Sequence, residues 1–271
     1  RECRSYDNVP SLQNSPEEGC RYTSNVVGRI KAEPKEFPFM ALIYSKKGDL
    51  IDRICGGTLI SKKYVLTSAS TFRNRDHLAN WVRLGDLDHD TYTDDALTQD
   101  IKTKNYIPHP QHYASKQTFY HDIALIELAT EAVFNDYVRP ACLSPIDAND
   151  FQEFLAAGWG FDPSEPSTHL HKVKLDRLDD DKCFESVKRD PSEKGINNRT
   201  NMCVIPSTGG KGTCNGDGGG PLFLNHPDFP CQFLVVGILS YGQSICGTRD
   251  YPSVFTRVKL YIDWIERIVW D

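Results

Sequence analysis

The sequence contains no apolar run near the roughly 20 residues that a membrane-spanning helix needs. No membrane span is therefore expected. It also has no surplus of positive charge: 31 Lys and Arg face 37 Asp and Glu, for a formal net charge of −6. Nucleic acid and heparin both call for a basic face, which argues against either as the main partner. None of the nine cysteines falls in a C-x-x-C pair, so the cysteines do not read as a zinc site. There is no internal repeat. No signal peptide is visible, and residue 1 is expected to begin a mature or truncated form.

What is present points to a secreted, β-rich protein. Nine cysteines at scattered spacing fit disulfides made in an oxidising compartment. Asn198-Arg199-Thr200 is a glycosylation sequon and agrees with secretion. At 271 residues the chain can bury a large core, as one domain or as two halves of one fold. Short β-like runs broken by glycine and charged turns recur throughout. They include Glu36–Ile43, Ile54–Ile60, Tyr64–Leu66, Trp81–Asp86, Gln99–Ile107 and Asp122–Leu128, then Glu153–Gly160, His171–Leu175, Met202–Ile205, Pro221–Leu224, Gln232–Tyr241 and Ser253–Val258. Many short strands at fairly even spacing mean a sandwich or a barrel.

Two helices stand out. Asp179 can cap a short one running through Cys183 to Val187, with acids in its first turn as the helix dipole prefers. At the C-terminus, Tyr261, Trp264, Ile265 and Ile268 repeat at i, i+3, i+4, i+7 and give one apolar face. Residues 1–25, with Cys3, Cys20, two prolines and no apolar period, read as an extended pro-segment or light chain held by disulfides.

The richest stretch is residues 212–221, Gly-Thr-Cys-Asn-Gly-Asp-Gly-Gly-Gly-Pro. So much glycine between two apolar runs makes a tight loop with uncovered backbone N–H groups, as an oxyanion site needs. It resembles the nucleophile loop of chymotrypsin-like serine proteases, Gly-Asp-Ser-Gly-Gly-Pro, with Gly218 at the serine's position and Gly216 and Gly218 as the oxyanion-hole-like pair. Val65-Leu66-Thr67-Ser68-Ala69-Ser70-Thr71 is similar to that family's Leu-Thr-Ala-Ala-His-Cys strand end, with Ser70 in the histidine's place and Thr71 in the cysteine's. Asp122, in His121-Asp122-Ile123-Ala124-Leu125, keeps the place of the orienting acid, and the chain order is base, acid, nucleophile.

The resemblance implies a fold of two six-stranded antiparallel β-barrels closed by a C-terminal α-helix, all-β in class. A first barrel over about 26–140 and a second over about 141–271 follow the segment 1–25. It places the activation junction at Asn25-Val26, with Asp217 as the acid that a new N-terminal amine would reach. Because Asn25 is not basic, cleavage there by a trypsin-like activator is not expected, and Arg21 is the nearest basic alternative, so cleavage stays open. The specificity pocket would have Gly212 at its base and Ser240, Tyr241, Gly242 and Ser253 as walls, a neutral groove that is either able to hold a peptide or collapsed. Family pairing implies the bridges Cys183–Cys203 and Cys214–Cys246, with Cys3 or Cys20 bound to Cys142. Cys3–Cys142 with Cys20–Cys231 is the preferred set, which leaves Cys55 as a thiol because Thr71 occupies its partner's position. Asp86, Asp94 and Asp95 lie on the loop where some members hold calcium, which suits crowded oxygen ligands; the alternative is a solvated acidic loop. No cofactor is required.

Tyr106-Ile107-Pro108-His109-Pro110 and Arg139-Pro140-Ala141-Cys142-Leu143 resemble the wording of arthropod clip-domain proteases and their homologs. The six-cysteine clip module itself is not in this sequence. The resemblance implies a secreted homolog without protease activity that regulates an extracellular cascade, such as arthropod melanisation or immunity. Its partner would be a protease, a zymogen or another cascade protein. The alternative is a ligand-binding or venom- or saliva-type scaffold on the same fold.

Overall fold

The computed structural model describes residues 26–48, 50–72, 79–112, 119–160, 168–187, 197–208, 213, 216–226, 232–242 and 252–270. A short first strand, β1 (Arg29–Lys31), is followed by six strands that close into one barrel. These are β2 (Met40–Lys47), β3 (Leu50–Leu59), β4 (Tyr64–Thr67), β5 (Trp81–Leu84), β6 (Gln99–Pro108) and β7 (Ala124–Leu128), joined in the order β2-β3-β4-β7-β6-β5. Composition explains why they are strands. The sequences YVLT, WVRL and ALIEL are rich in β-branched and aromatic residues. Their apolar side chains fill the barrel as a buried set that includes Ile43, Leu59, Val65, Val82, Leu84 and Ile126.

The second half supplies β8 (Cys142–Leu143), β9 (Glu153–Gly158), β10 (His171–Arg177), α1 (Asp180–Val187), β11 (Asn201–Pro206), β12 (Pro221–Asn225), β13 (Phe233–Tyr241), β14 (Ser253–Arg257) and α2 (Ile262–Val269). The order β10-β11-β14-β13-β12-β9, with β9 pairing back onto β10, makes a second six-stranded antiparallel barrel. The expected pair of barrels is thus the observed architecture. One boundary differs. β1, expected in the first barrel, hydrogen-bonds along β10 of the second, Arg29 opposite Val173. β8 adds in parallel to β13.

Both expected helices form where their caps and faces put them. The Asp179 carboxylate accepts from Asp181 N at 3.0 Å at the start of α1. Tyr261 and Ile265 are buried and Trp264 and Ile268 pack beside them on the main core.

That core lies between the barrels. Phe37 and Phe39 from the first half meet Phe223 and Phe233 from the second, with ring centroids 5.0–6.1 Å apart and mostly edge to face. Each such pair adds about 0.5–1.5 kcal/mol beyond burial, so the barrels are locked in one relative position. A buried ion pair sits at the same seam. Lys172 Nζ donates to Glu36 Oε1 at 2.5 Å and Oε2 at 2.7 Å, and the two side chains are only 2% and 5% exposed.

Candidate active-site cleft

Residues 70, 122 and 218 come from three loops facing the seam. β4 ends at Thr67, and a 3₁₀ turn, Ser70–Phe72, carries Ser70 toward the second barrel. Tyr106 fixes this turn, because its hydroxyl donates to Ala69 O at 2.8 Å and its ring packs on Phe72 at 4.1 Å. Burial pushes the Tyr106 phenol above its usual range, so it stays a donor. Asp122 arrives just before β7 and is fully buried. The preceding residue, His121, takes a φ of 48°, and its Nδ1 lies 3.0 Å from the Tyr261 hydroxyl. A left-handed, non-glycine residue held this way fixes the direction in which the chain enters Asp122.

The carboxylate of Asp122 is enclosed by donors. Its Oδ1 accepts from Ser70 N at 2.5 Å. Its Oδ2 accepts from Ser70 Oγ at 2.8 Å and from Ser240 Oγ at 2.5 Å. Ser70 and Asp122 are therefore together, as the motif alignment expects. Ser240 has a role that the sequence reading did not assign: placed there as a pocket wall, it turns its hydroxyl onto the acid instead. Ser68 and Thr71 join hydroxyls at 2.6 Å beside this group. The recurring Ser and Thr of residues 67–71 were the available signal for such a network.

The glycine loop closes from the other side. Gly56 N donates to Gly218 O at 2.9 Å, Gly219 N to Leu239 O at 2.8 Å and Leu239 N to Gly220 O at 2.9 Å. These bonds pin the loop to both barrels. Gly219 has a φ of 78°, and a Cβ there would fall 2.1 Å from Thr67 Oγ1. Gly216 has a φ of 95°. At Gly218 an added Cβ meets nothing within 4 Å. The space in front of Gly218 is open, and no side-chain oxygen projects from that residue.

Asp217 is buried, and its Oδ1 accepts from Gly160 N at 2.7 Å. Gly158 and Gly160 leave it room, since a Cβ on either would fall within 2.4 Å of the carboxylate. Arg29 Nη2 donates to Gly160 O at 2.5 Å, so one residue, Gly160, bonds both the Arg29 guanidinium and Asp217. Arg29 was not marked in the sequence. Val26 is buried at 3% exposure; Asn25 lies outside the described residues.

In the expected specificity pocket, Thr213 and Ser253 bring their hydroxyls to 2.6 Å across the cleft. A Cβ on Gly242 would be 3.0 Å from Thr213 Oγ1. The two hydroxyls are thus bonded to each other. Tyr241 ends β13 and stacks edge-on against Phe119 at 5.3 Å. Gly212 lies outside the described residues.

Of the expected bridges, Cys183–Cys203 is present with a Cα separation of 5.6 Å. Cys142 is also disulfide-bonded. Cys3, Cys20, Cys214, Cys231 and Cys246 lie outside the described residues, so the rest of the proposed pairing falls there too. Cys55 is buried and carries a thiol, with Sγ 3.5 Å from Ile43 O. Asn198 is exposed in a turn, as a sequon requires.

In the loop read as either a calcium site or a solvated acidic loop, each of the three aspartates has a partner within the protein. Asp86 is turned inward onto Arg83, Oδ2 to Nη1 at 3.3 Å, while Arg83 also forks onto Asp100 at 2.7 and 2.8 Å. Asp94 Oδ2 accepts from Asp88 N at 2.9 Å. Asp95 accepts from the Tyr137 hydroxyl and lies 3.5 Å from Lys35 Nζ. Arg83 thus neutralises Asp86, the inward member of the set. Among the described residues no group of three or more His, Cys, Asp or Glu side chains is disposed to hold a metal. No helix among them is long and apolar enough to cross a membrane.

The comparisons agree with this geometry. The family model described as Trypsin matches residues 26–265. Melanization protease 1 of Drosophila melanogaster is 32% identical over 95% of this chain and 69% of its own length. CLIP domain-containing serine protease HP8 of Bombyx mori is also 32% identical, over 94% of this chain and 72% of its own. The solved structure of mouse neuropsin, described as a serine protease, superposes with a TM-score of 0.71 at 29% identity and covers 89% of this chain and 98% of its own. With two six-stranded barrels, the 70–122–218 cleft between them and a match over most of its length, the chain belongs to the trypsin-like serine protease family and has clip-domain proteases among its relatives.

Proposed function

We propose that the chain is a secreted trypsin-fold protein without protease activity that acts by binding a protein of an extracellular proteolytic cascade. The occupancy of Asp122 carries this reading. In a triad the acid orients an imidazole, which takes the nucleophile's proton. Here Asp122 receives Ser70 N, Ser70 Oγ and Ser240 Oγ. A serine hydroxyl has no basic nitrogen and cannot accept that proton near neutral pH. Gly218 supplies no nucleophile to lose one. Removing base and nucleophile from such a unit costs on the order of 10⁶ in turnover. The names of the relatives, a melanization protease and a CLIP-domain protease, support a cascade as the setting.

Two measurements test the proposal. Incubated with peptide thioesters and a fluorophosphonate probe, the purified chain is expected to turn over nothing and take no label. Labelling within residues 213–221 would overturn the reading. The double variant Ser70→His/Gly218→Ser, with Asn25→Arg to allow cleavage, is expected to gain measurable esterase activity only after cleavage. Equal activity before cleavage would show that the Asp217 loop needs no new amine.

A further inference from the structure

At the far end of the second barrel the end of β14, the 3₁₀ turn Ala148–Asp150, the 3₁₀ turn Val258–Tyr261 and the turn at 198–199 enclose a cavity of about 250 Å³. Its charge balance is unusual for this molecule. Arg257, Arg199 and Lys259 line it together with a single carboxylate, Asp147, in a chain whose net charge is −6. Arg257 is only 5% exposed. Its Nε donates to Asn201 O at 2.8 Å and its Nη1 to Asn149 Oδ1 at 2.8 Å, with Asp147 at 3.5 Å. Its Nη2 has no hydrogen-bond partner among the described residues; Asp180 stands 3.5 Å away and is shared with Arg177. Asp147 is divided in turn between Arg257 and Lys259, the latter at 3.8 Å. Arg199 is exposed and forms no ion pair among the described residues.

A buried guanidinium keeps its charge, and leaving its N–H groups unfilled is costly. The lining holds three cations and one carboxylate, with Asp180 beside Arg257 as a second carboxylate outside it; this balance favours a further anion, and guanidinium and ammonium N–H donors suit a carboxylate. We propose that this cavity is a docking site for an acidic side chain of a partner protein, with Arg257 at its floor and Arg199 and Lys259 at its mouth. The cavity is larger than one carboxylate, which leaves room for the stem of a Glu or Asp side chain against Leu260 and Val236. The site takes from the regulator reading only that the ligand belongs to a protein. It does not depend on whether the 70–122–218 cleft is active.

Asn198 also lines the cavity, so the test uses an Asn198→Gln background in which no glycan can stand at the mouth. A fluorescein-labelled, capped tetraglutamate peptide is titrated by anisotropy at low and physiological salt. Saturable binding that weakens with salt is expected. Reversing the mouth with Arg199→Glu/Lys259→Glu is expected to weaken it at least tenfold, while Lys62→Glu, on the first barrel, leaves it unchanged. Both mouth residues are exposed, so the variant keeps its fold, checked by thermal melting. Binding that is insensitive to the mouth reversal, or weakened equally by Lys62→Glu, overturns the proposal. So does a sulfated hexasaccharide that binds through the mouth residues when the peptide does not. Fluorophosphonate labelling of the same samples reads the cleft separately, so the two readings fail independently.

Discussion

Gly218→Ala and Gly219→Ala are adjacent substitutions with opposite expected outcomes, and together they test whether residue 218 is glycine for reasons of shape. At Gly219 the backbone is left-handed, with φ 78°, and a Cβ would lie 2.1 Å from Thr67 Oγ1 and 2.6 Å from Gly56 O. The conformation alone costs an L-residue about 1–2 kcal/mol. The overlap cannot be relieved by rotating a flexible side chain, because Gly56 O is backbone and Thr67 Oγ1 is itself bonded to it at 2.9 Å. Overpacking of that kind costs about 1–3 kcal/mol. The sum is about 2–5 kcal/mol, and at about 2 °C per kcal/mol for a chain of this size the melting temperature should fall by roughly 4–10 °C. Gly218 is not left-handed and has nothing within 4 Å of the added atom. Restricting the unfolded chain there should stabilise by about 0.4–1 kcal/mol, which raises the melting temperature by no more than about 2 °C. Differential scanning calorimetry of the two variants decides. If Gly218→Ala destabilises as much as Gly219→Ala, then backbone need, and not the absence of a nucleophile, explains residue 218.

Removing one member of the buried pair, by Lys172→Met, leaves the Glu36 carboxylate buried without its cation and should cost about 3–5 kcal/mol in urea unfolding. The double variant Glu36→Leu/Lys172→Met should recover most of that, and additive losses would show that the two charges do not depend on each other. His109 lies edge-on to Tyr261 and Trp264 and stacks on His121, with centroids 5.1 Å apart. Burial, and then the neighbouring His121 and His112, hold its pKa down to about 4. Unfolded, it titrates near 6.5, so between about pH 6.5 and 4 the unfolded chain binds a proton that the folded one refuses. Stability should therefore fall as pH drops through that window. His109→Gln should flatten the slope of urea midpoint against pH, and an unchanged slope would assign it to other groups.

Much of this arrangement was legible in the sequence. The strands of both barrels follow from β-branched and aromatic runs between glycines, and α2 from its apolar spacing. The residues that meet in the cleft followed from three motifs. What was not legible depends on contacts between distant parts of the chain. β1 is only Arg-Ile-Lys, too short for a pattern, and is a strand because β10 offers it an edge. The aspartates of residues 86–95 read as an oxygen-rich loop, but Arg83, facing Asp100 across β5 and β6, turns Asp86 inward. Ser240 reads as a pocket wall, because nothing local shows that its hydroxyl is drawn to an acid 118 residues earlier. In each case a charged or polar group found its partner through the tertiary fold, which periodicity does not encode.

The same contacts explain how Asp122 can persist without an imidazole. It is fully buried, and a buried carboxylate must be filled with donors or it destabilises the fold. Ser70 fills it from the first barrel with an N–H and an O–H, Ser240 fills it from β13, and Thr256 on β14 donates to its backbone carbonyl at 3.0 Å. Asp122 thus ties the end of β4 to two strands of the other barrel, and that role needs no proton transfer. A serine at position 70 meets the requirement because it is short enough to lie flat on the carboxylate and still donates. An alanine there would supply the backbone N–H alone. The acid is therefore weak testimony to catalysis. Its presence is accounted for by the seam it holds.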